Sequence, residues 1–176
     1  MICNVRALLQ YFGVTWMVDK NFHQVVTRML ATIDRNHDQW EPQPAYTVGV
    51  NDDLRIDLIG LQEGFLNLRA VVGQLPGSSE NGVLLRLLQA NNFAFEHPPV
   101  SIGIDPDTAS ITVWSRQALS ELHDDIRCQW FDRFIRIASA VQAWWRSADR
   151  ALPLDVAAAP TRRTGNTAAS QRGVTR

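Results

Sequence analysis

The chain has 176 residues, of which 45% are hydrophobic, and a formal net charge of −1. This length suits one domain with a tail, and this composition excludes wholesale disorder. The charge is unevenly spread: residues 151–176 carry four arginines against one aspartate, a net of +3, which leaves −4 on residues 1–150. A mildly acidic body argues against a nucleic-acid partner, because phosphate binding requires clustered Lys and Arg on one face of the fold.

The sequence divides into an extension, one folded domain and a tail. Residues 1–19 are interpreted as an N-terminal extension that is a short helix or disordered, and a start of translation at Met17 is left open. Residues 151–176 shift to Ala, Thr, Arg, Gly and Ser, which predicts a disordered basic tail. Residues 20–150 remain as the folded domain. No run is apolar and long enough to span a bilayer, so we expect no membrane partner.

The first predicted helix covers about residues 21–35 and is amphipathic. Asn21 and Gln24 have the spacing of a capping box at its start. Pro42 and Pro44 then prevent further helix, because proline lacks the backbone donor. The apolar face of the helix consists of Phe22, Val25, Val26, Met29, Leu30 and Ile33.

Three candidate strands follow, at residues 46–50, 54–59 and 65–72. The second and third alternate between apolar and polar residues, and short polar turns separate all three. This pattern predicts an antiparallel meander with one apolar face, which a helix must cover. The apolar positions are Leu54, Ile56 and Leu58 on one strand, and Leu66, Leu68, Ala70 and Val72 on the next.

The second predicted helix, about residues 79–91, is apolar nearly all round. Ser78 or Ser79 can cap its start, and Asn91 followed by Asn92 can end it. A helix of this kind needs cover on two sides, from its own sheet and from something else. Since most soluble oligomers are symmetric, the pattern predicts the seam of a homodimer.

A hairpin and a long helix complete the predicted elements. Strands at 100–104 and 110–114 flank the sequence Asp-Pro-Asp-Thr-Ala (105–109), which favours a type I turn. The last helix covers about residues 120–148, with Ser120 as its N-cap. Aromatic residues are more numerous than tight turns need, so some are expected on exposed patches that bind other chains.

The sequence contains no recognisable catalytic or metal-binding motif. The four histidines lack metal-ligand spacing, and no phosphate-binding loop is present, so we expect no cofactor. His-Asp-Asp at 123–125 is interpreted as a solvated first helical turn, since consecutive helical residues point in different directions. Cys128 is interpreted as a buried thiol rather than a nucleophile. Cys3 and Cys128 suggest no disulfide framework, which favours a reducing, cytoplasmic setting.

The order helix, three strands, helix, two strands, long helix resembles the class I type III secretion chaperones, the Tir-chaperone-like (CesT-like) family. The matching stretches are "LLRLLQAN" (84–91), "IGIDPD" (102–107) and the strand at 111–114, together with "ALSELHDDI" (118–126) and "LRIDLIGLQEGFLNLRAVVGQLP" (54–76). The resemblance covers roughly residues 20–148. The sequence departs from the family where Thr108 and Ala109 replace the glycine usual after the hairpin turn.

The resemblance implies an α+β fold in which helices cover an antiparallel sheet, in the order α-β-β-β-α-β-β-α, and a cytoplasmic bacterial homodimer without enzymatic activity. Such proteins bind the N-terminal segment of an effector or translocator in extended form and deliver it to the secretion apparatus, including its ATPase. By matching elements, the dimer interface would comprise Val83, Leu84, Leu87, Leu88 and Asn91. The effector contacts would be Phe22, Val25, Val26, Met29, Ile102, Ile104, Val113 and Trp114.

An alternative function uses the same scaffold. In this alternative, the domain is a bacterial adaptor or sensory module that binds a folded protein partner outside secretion. An enzyme with a scattered site is a third alternative, but the sequence offers no place where several polar groups converge.

Overall fold

The computed structural model describes residues 5–7, 19–31, 40–75, 81–91 and 97–147. The helices are α1 (Lys20–Leu30), α2 (Asn81–Ala90) and α3 (Asp124–Arg146). The strands are β1 (Val5–Ala7), β2 (Ala45–Gly49), β3 (Arg55–Ile59), β4 (Phe65–Gln74), β5 (Val100–Ile104) and β6 (Ser110–Ala118). They form one sheet in the order β1-β2-β3-β4-β6-β5, with every pair antiparallel. The predicted α+β class and the predicted element order from α1 onward are confirmed.

The sheet has two different faces because apolar and polar residues alternate along its strands. On β4, Leu68 and Ala70 are buried, whereas Arg69 between them is exposed. The pairing with β6 sets Ala70 opposite Val113 and Arg69 opposite Trp114. Since paired residues project to the same side, Val113 lies on the buried side and Trp114 on the other. We call the buried side the inner face and the opposite side the outer face.

All three helices contribute side chains to the core on the inner face. The ring of Phe22, from α1, lies so close to Gly60 that a Cβ at Gly60 would be 2.4 Å from the ring Cγ. From α2, Leu87 is buried in the same apolar cluster. From α3, the indole Nε1 of Trp130 donates to the hydroxyl of Ser115 at 2.9 Å, which satisfies two buried polar groups at once.

The short strand β1 was not predicted. Its backbone pairs with β2, with Val5 opposite Val48 and Ala7 opposite Tyr46, in a segment for which the sequence suggested a short helix or disorder. Three residues are too few for a periodic pattern, so only the pairing reveals the strand. Residues 1–4 and 8–18 lie outside the described residues, as does the predicted tail at 151–176. The division into extension, domain and tail stays a prediction.

Two predicted helix caps are wrong. The N-cap of α1 is Asp19 rather than Asn21: its Oδ1 accepts from the N–H groups of Asn21 at 2.8 Å and Phe22 at 3.4 Å. Its Oδ2 accepts from the N–H of Gly64 in the β3–β4 turn, a contact that no local pattern predicts. Ser120 does not cap α3, because Leu119–Glu121 form a separate 3₁₀ turn and α3 begins only at Asp124. The predicted N-caps of α2, Ser78 or Ser79, lie outside the described residues, whereas the helix ends at Ala90, directly before Asn91.

The β5–β6 turn explains the departure from the usual glycine. The carboxylate of Asp105 accepts from the N–H groups of Asp107 and Thr108, at 3.0 and 3.1 Å, and this closes the turn. Ala109 then has a φ of 53°. This left-handed conformation favours glycine, since a Cβ is crowded there. Ala109, one of the two residues found where a glycine was expected, is therefore strained.

Candidate protein-binding surfaces

Helix α2 has a buried side and an exposed side. Val83 and Leu87 are buried in the core, and Leu84 is half-buried. Leu88 is 69% exposed and Leu85 is 57% exposed, the two highest values among the large apolar side chains that the structure describes. Of the predicted apolar interface residues, Leu88 is therefore the most available to another chain. Leu85, which the sequence analysis placed off the apolar stripe, belongs with it.

Asn91, the fifth predicted interface residue, has a contact within its own chain. Its Nδ2 donates to the carbonyl of Ile102 and its Oδ1 accepts from the N–H of Ile102, both at 2.6 Å. The side chain thus binds both backbone polar groups of one residue of β5. Asn91 joins the end of α2 to the sheet, and this structural role lies within a single protomer.

The predicted effector-contact residues are divided between the core and the surface. Five of them are at most 7% exposed and cannot meet a partner directly. The others are accessible: Trp114 is 47% exposed, Ile104 is 41% exposed, and Val25 is half-buried at the edge of α1. The five buried residues are Phe22, Val26, Met29, Ile102 and Val113.

An apolar patch lies on the outer face of the sheet. Trp114 on β6 stands diagonally across from Val71 on β4, since Val71 pairs with Thr112, and both apolar side chains are 47% exposed. The Trp114 indole extends over Gly103 on β5, where a Cβ would lie 3.7 Å from its Nε1. Because Gly103 has no side chain, the indole can lie flat beside β5 and still present its other side to solvent. We call Trp114 and Val71 the outer patch.

A row of polar side chains adjoins the outer patch. The Thr47 hydroxyl donates to Asp57 at 2.9 Å, and the Arg69 guanidinium donates to the same carboxylate at 3.0 Å. Arg69 is the direct cross-strand partner of Trp114. The row crosses β2, β3 and β4 and ends at the indole, so the outer face has a polar half and an apolar half.

A shallow cavity of about 300 Å³ continues the patch toward the start of β4. Trp114 forms one wall, and Phe65 and Arg116 form another, with the guanidinium carbon of Arg116 3.9 Å from the centre of the Phe65 ring. Arg116 is exposed, so this cation–π contact keeps a positive charge beside the apolar patch. Glu121 also lines this cavity, so one basic and one acidic side chain lie beside the apolar patch.

The structure also bears on the cysteine, turn, metal-binding and membrane predictions made from the sequence. Cys128 is exposed, so its predicted burial is wrong, because α3 turns this position away from the inner face. The oxygen of Asn51 accepts from the N–H groups of Asp53 and Leu54, which makes this stretch a turn. In the described ranges, no three His, Cys, Asp or Glu side chains are grouped to hold a metal. None of the described helices has the length and apolarity needed to cross a membrane.

A family model described as the Tir chaperone protein (CesT) family matches residues 39–155, about two thirds of the chain. No curated protein matches the sequence. Among solved structures, the chain is similar to one of the ExoT–SpcS complex from Pseudomonas aeruginosa, with 14% identity, coverage of 69% of this chain and 97% of that chain, and a TM-score of 0.52.

It is also similar to the Yersinia pestis type III secretion chaperone SycH, solved in complex with a stable fragment of YscM2. There the identity is 15%, the coverage is 67% of this chain and 97% of that chain, and the TM-score is 0.50. At such identities the likeness establishes a common fold, which agrees with the family match.

Proposed function

The chain belongs to the Tir chaperone protein (CesT) family, and on this premise we propose that it is a type III secretion chaperone that binds the N-terminal segment of an effector or translocator in extended form. It works as a homodimer in the bacterial cytoplasm, keeps the segment competent for secretion, and delivers it to the secretion apparatus, with the ATPase as a receiving partner. Its work is binding rather than bond chemistry, so it needs no cofactor and is not an enzyme.

The observation that carries the proposal is the apolar area that a folded protomer leaves uncovered in two separate places. One place is the outward side of α2, with Leu85 and Leu88. The other is the outer patch of Trp114 and Val71 on the sheet. Separate exposed apolar surfaces are typical of proteins that bind two kinds of chain, here a second copy and a client.

The α2 surface fits a second copy. Val83 and Leu87 anchor the helix to its own core, so its outward side is presented on a fixed element. In a symmetric dimer both protomers contribute their Leu88 to the interface, so the free energy gained by burying this side chain counts twice. We therefore propose Leu88 and Leu85 as the centre of the dimer interface, with Leu84 beside them.

The outer patch fits the client. A fully buried tryptophan covers roughly 150–250 Å², so the exposed half of Trp114 represents about 100 Å². At about 25 cal/mol per Å², covering that area contributes about 2.5 kcal/mol before ordering costs. The client site then comprises Trp114 and Val71. Ile104 and Val25 are also accessible, but they lie on the inner side of the sheet, since Ile104 pairs with the buried Ile111 and Val25 belongs to α1, so they are not part of this site. The buried predicted residues hold these elements in place.

The proposed function is tested by identifying and mapping the client. The tagged protein is purified from its native bacterium, the bound protein is identified by mass spectrometry, and hydrogen exchange is measured on the purified complex. We expect protection in an N-terminal client segment and at β6 of the chaperone, with the rest of the client unprotected by the contact. Protection confined to a folded client domain would instead support the adaptor alternative.

A matched pair of variants separates specific from general binding. Trp114→Ala removes the proposed contact, whereas Leu61→Ala removes an apolar side chain that is 50% exposed in the β3–β4 turn. We expect the first to lose most client binding and the second to retain it, with equal melting temperatures. Equal client binding by both variants would refute the assigned surface.

A further inference from the structure

The short strand β1 covers the outward backbone groups of β2, which we call the β2 edge. It pairs through three residues, with Arg6 opposite Thr47 at the centre, and it pairs on one side only, since it is the first strand in the sheet order. It also precedes α1, the first element of the order that resembles the secretion chaperones. β1 is therefore an addition to that order, and it occupies backbone groups that would otherwise be open to another chain.

β2 has contacts of its own that fix it in the fold. All five of its residues, Ala45–Gly49, pair with β3 on the side away from β1. The Tyr46 hydroxyl accepts from the N–H of Gln43 at 3.1 Å and donates to the carbonyl of Glu41 at 3.0 Å. The β2 edge is thus presented on a strand held by contacts that do not involve β1.

A line of direct cross-strand partners joins the β2 edge to the outer patch. Neighbouring strands lie about 4.8 Å apart, so β1 and Trp114, four strand spacings away, are separated by about 19 Å. An extended polypeptide, at about 3.3 Å per residue, covers this distance in about six residues. One client segment can therefore reach both places. The line consists of Arg6, Thr47, Asp57, Arg69 and Trp114, each opposite the next.

The path between the two places is polar. The Thr47 hydroxyl and the Arg69 guanidinium both donate to the Asp57 carboxylate, at 2.9 and 3.0 Å, so this carboxylate already has donors within the protein. A segment that crosses the row therefore needs no apolar side chain there. The two ends of the path differ in what they can bind: an apolar side chain at Trp114, and an extended backbone at the β2 edge.

We propose that the β2 edge is a second client-binding site, which takes an extended stretch of the client by strand addition, and that β1 occupies it until the client displaces it. This rests on the proposed function, since it requires a client that binds in extended form. The client then has an apolar residue for Trp114 and, about six residues away, a stretch without proline that pairs with β2. A short pairing of this kind is too weak to hold a client alone, so the outer patch remains the main anchor.

The first test adds the strand in trans to the full-length protein. Val5→Pro combined with Arg6→Pro disrupts β1, because N–H groups point to alternate sides along a strand and one of two consecutive prolines must remove a donor that faces β2. Val5→Ala combined with Arg6→Ala is the matched control, which truncates the same side chains and keeps both donors. The probe is acetyl-Asn-Val-Arg-Ala-Leu-Leu-Gln-amide, the sequence of residues 4–10.

NMR of the backbone amides of residues 46–48 detects even weak binding of this peptide. We expect saturable shifts in the proline pair, with a dissociation constant at least about tenfold lower than in the alanine pair, whose own β1 competes for the edge. A peptide with proline at its second and third positions should shift neither. The proposal is overturned if the proline pair shows no saturable shift, or if both pairs bind the peptide equally.

The second test uses the client complex purified from the native bacterium. Hydrogen exchange of residues 5–7 and 46–48 is compared between the free protein and the complex. We expect residues 5–7 to lose protection on client binding while 46–48 remain protected, because the client strand replaces β1. Unchanged protection at 5–7 would overturn this inference, and the proposed function would still stand if β6 is protected in the same complex. A failure of the proposed function shows separately, as an unprotected β6.

Discussion

The substitution Leu88→Asp tests the proposed dimer most directly. Leu88 is 69% exposed on the outward side of α2, so a charge there does not disturb the core of the protomer. The neighbouring Leu87 does not allow the same test. It is 4% exposed, and an aspartate at that position would unfold the helix from its own sheet.

The magnitude follows from the exposed fraction. Full burial of a leucine contributes about 1.5–3 kcal/mol, so the exposed part of Leu88 accounts for about 1–2 kcal/mol in each protomer. Both protomers contribute in a symmetric pair, which gives about 2–4 kcal/mol. Two unpaired carboxylates at the interface add a further penalty. We expect the dimer dissociation constant to rise about a thousandfold or more, since each 1.4 kcal/mol is tenfold.

Sedimentation velocity over a range of concentrations measures this constant. Leu61→Asp is the control, because Leu61 is 50% exposed but lies in the β3–β4 turn. Thermal unfolding verifies that both variants remain folded. An unchanged dissociation constant in Leu88→Asp, or a wild-type protein that stays monomeric at every concentration, would refute the reasoning.

Four further outcomes follow from single residues. Trp114→Glu should abolish client binding at unchanged melting temperature, measured by calorimetry; residual binding within threefold of wild type would contradict it. Gly60→Ala should lower the free energy of unfolding by about 1–3 kcal/mol, because the new Cβ meets the Phe22 ring, and urea unfolding measures the loss. Ala109→Gly should raise the free energy of unfolding by about 0.5–1 kcal/mol by relieving the left-handed φ, partly offset by the greater backbone freedom of glycine when unfolded. Burial lowers the pKa of His23, so below about pH 6.5 the unfolded chain binds more protons than the folded one. The free energy of unfolding should therefore decrease as the pH is lowered from about 6.5, until the folded pKa is passed. His23→Gln should lack this contribution in urea titrations at several pH values.

The strand pattern was readable from the sequence because burial on a sheet face follows a period of two. The same period of two also indicates which residues of β6 are accessible, although the family resemblance assigned both Val113 and Trp114 to the effector contacts. Val113 and Trp114 are neighbours on one strand, so only one of them can face outward. Ile111 and Val113 share the apolar face, which leaves Trp114 as the accessible residue. Val71 could have been found in the same way, from its place opposite the buried positions of β4.

The helix α1 shows where periodicity stops being informative. Its apolar stripe predicts a face that must be covered, but a stripe is the same whether its own sheet or another chain covers it. Here the protomer's own core covers it, and Phe22, Val26 and Met29 are enclosed. The cap at Asp19 was unpredictable for a related reason. Its second oxygen is bound by Gly64, and contacts between distant parts of the chain leave no local pattern.

The side chain of Asn91 has a consequence for the free border of the sheet. β5 is the last strand in the sheet order, and a strand in that position offers unpaired backbone groups to any passing polypeptide. The primary amide of Asn91 resembles a peptide unit, and it occupies the donor and the acceptor of Ile102 as an added strand would. A bound polypeptide therefore cannot add as a continuous strand along β5 unless it displaces the Asn91 amide. Asn91 thus protects this edge of the sheet from uncontrolled strand pairing and aggregation with extended polypeptides.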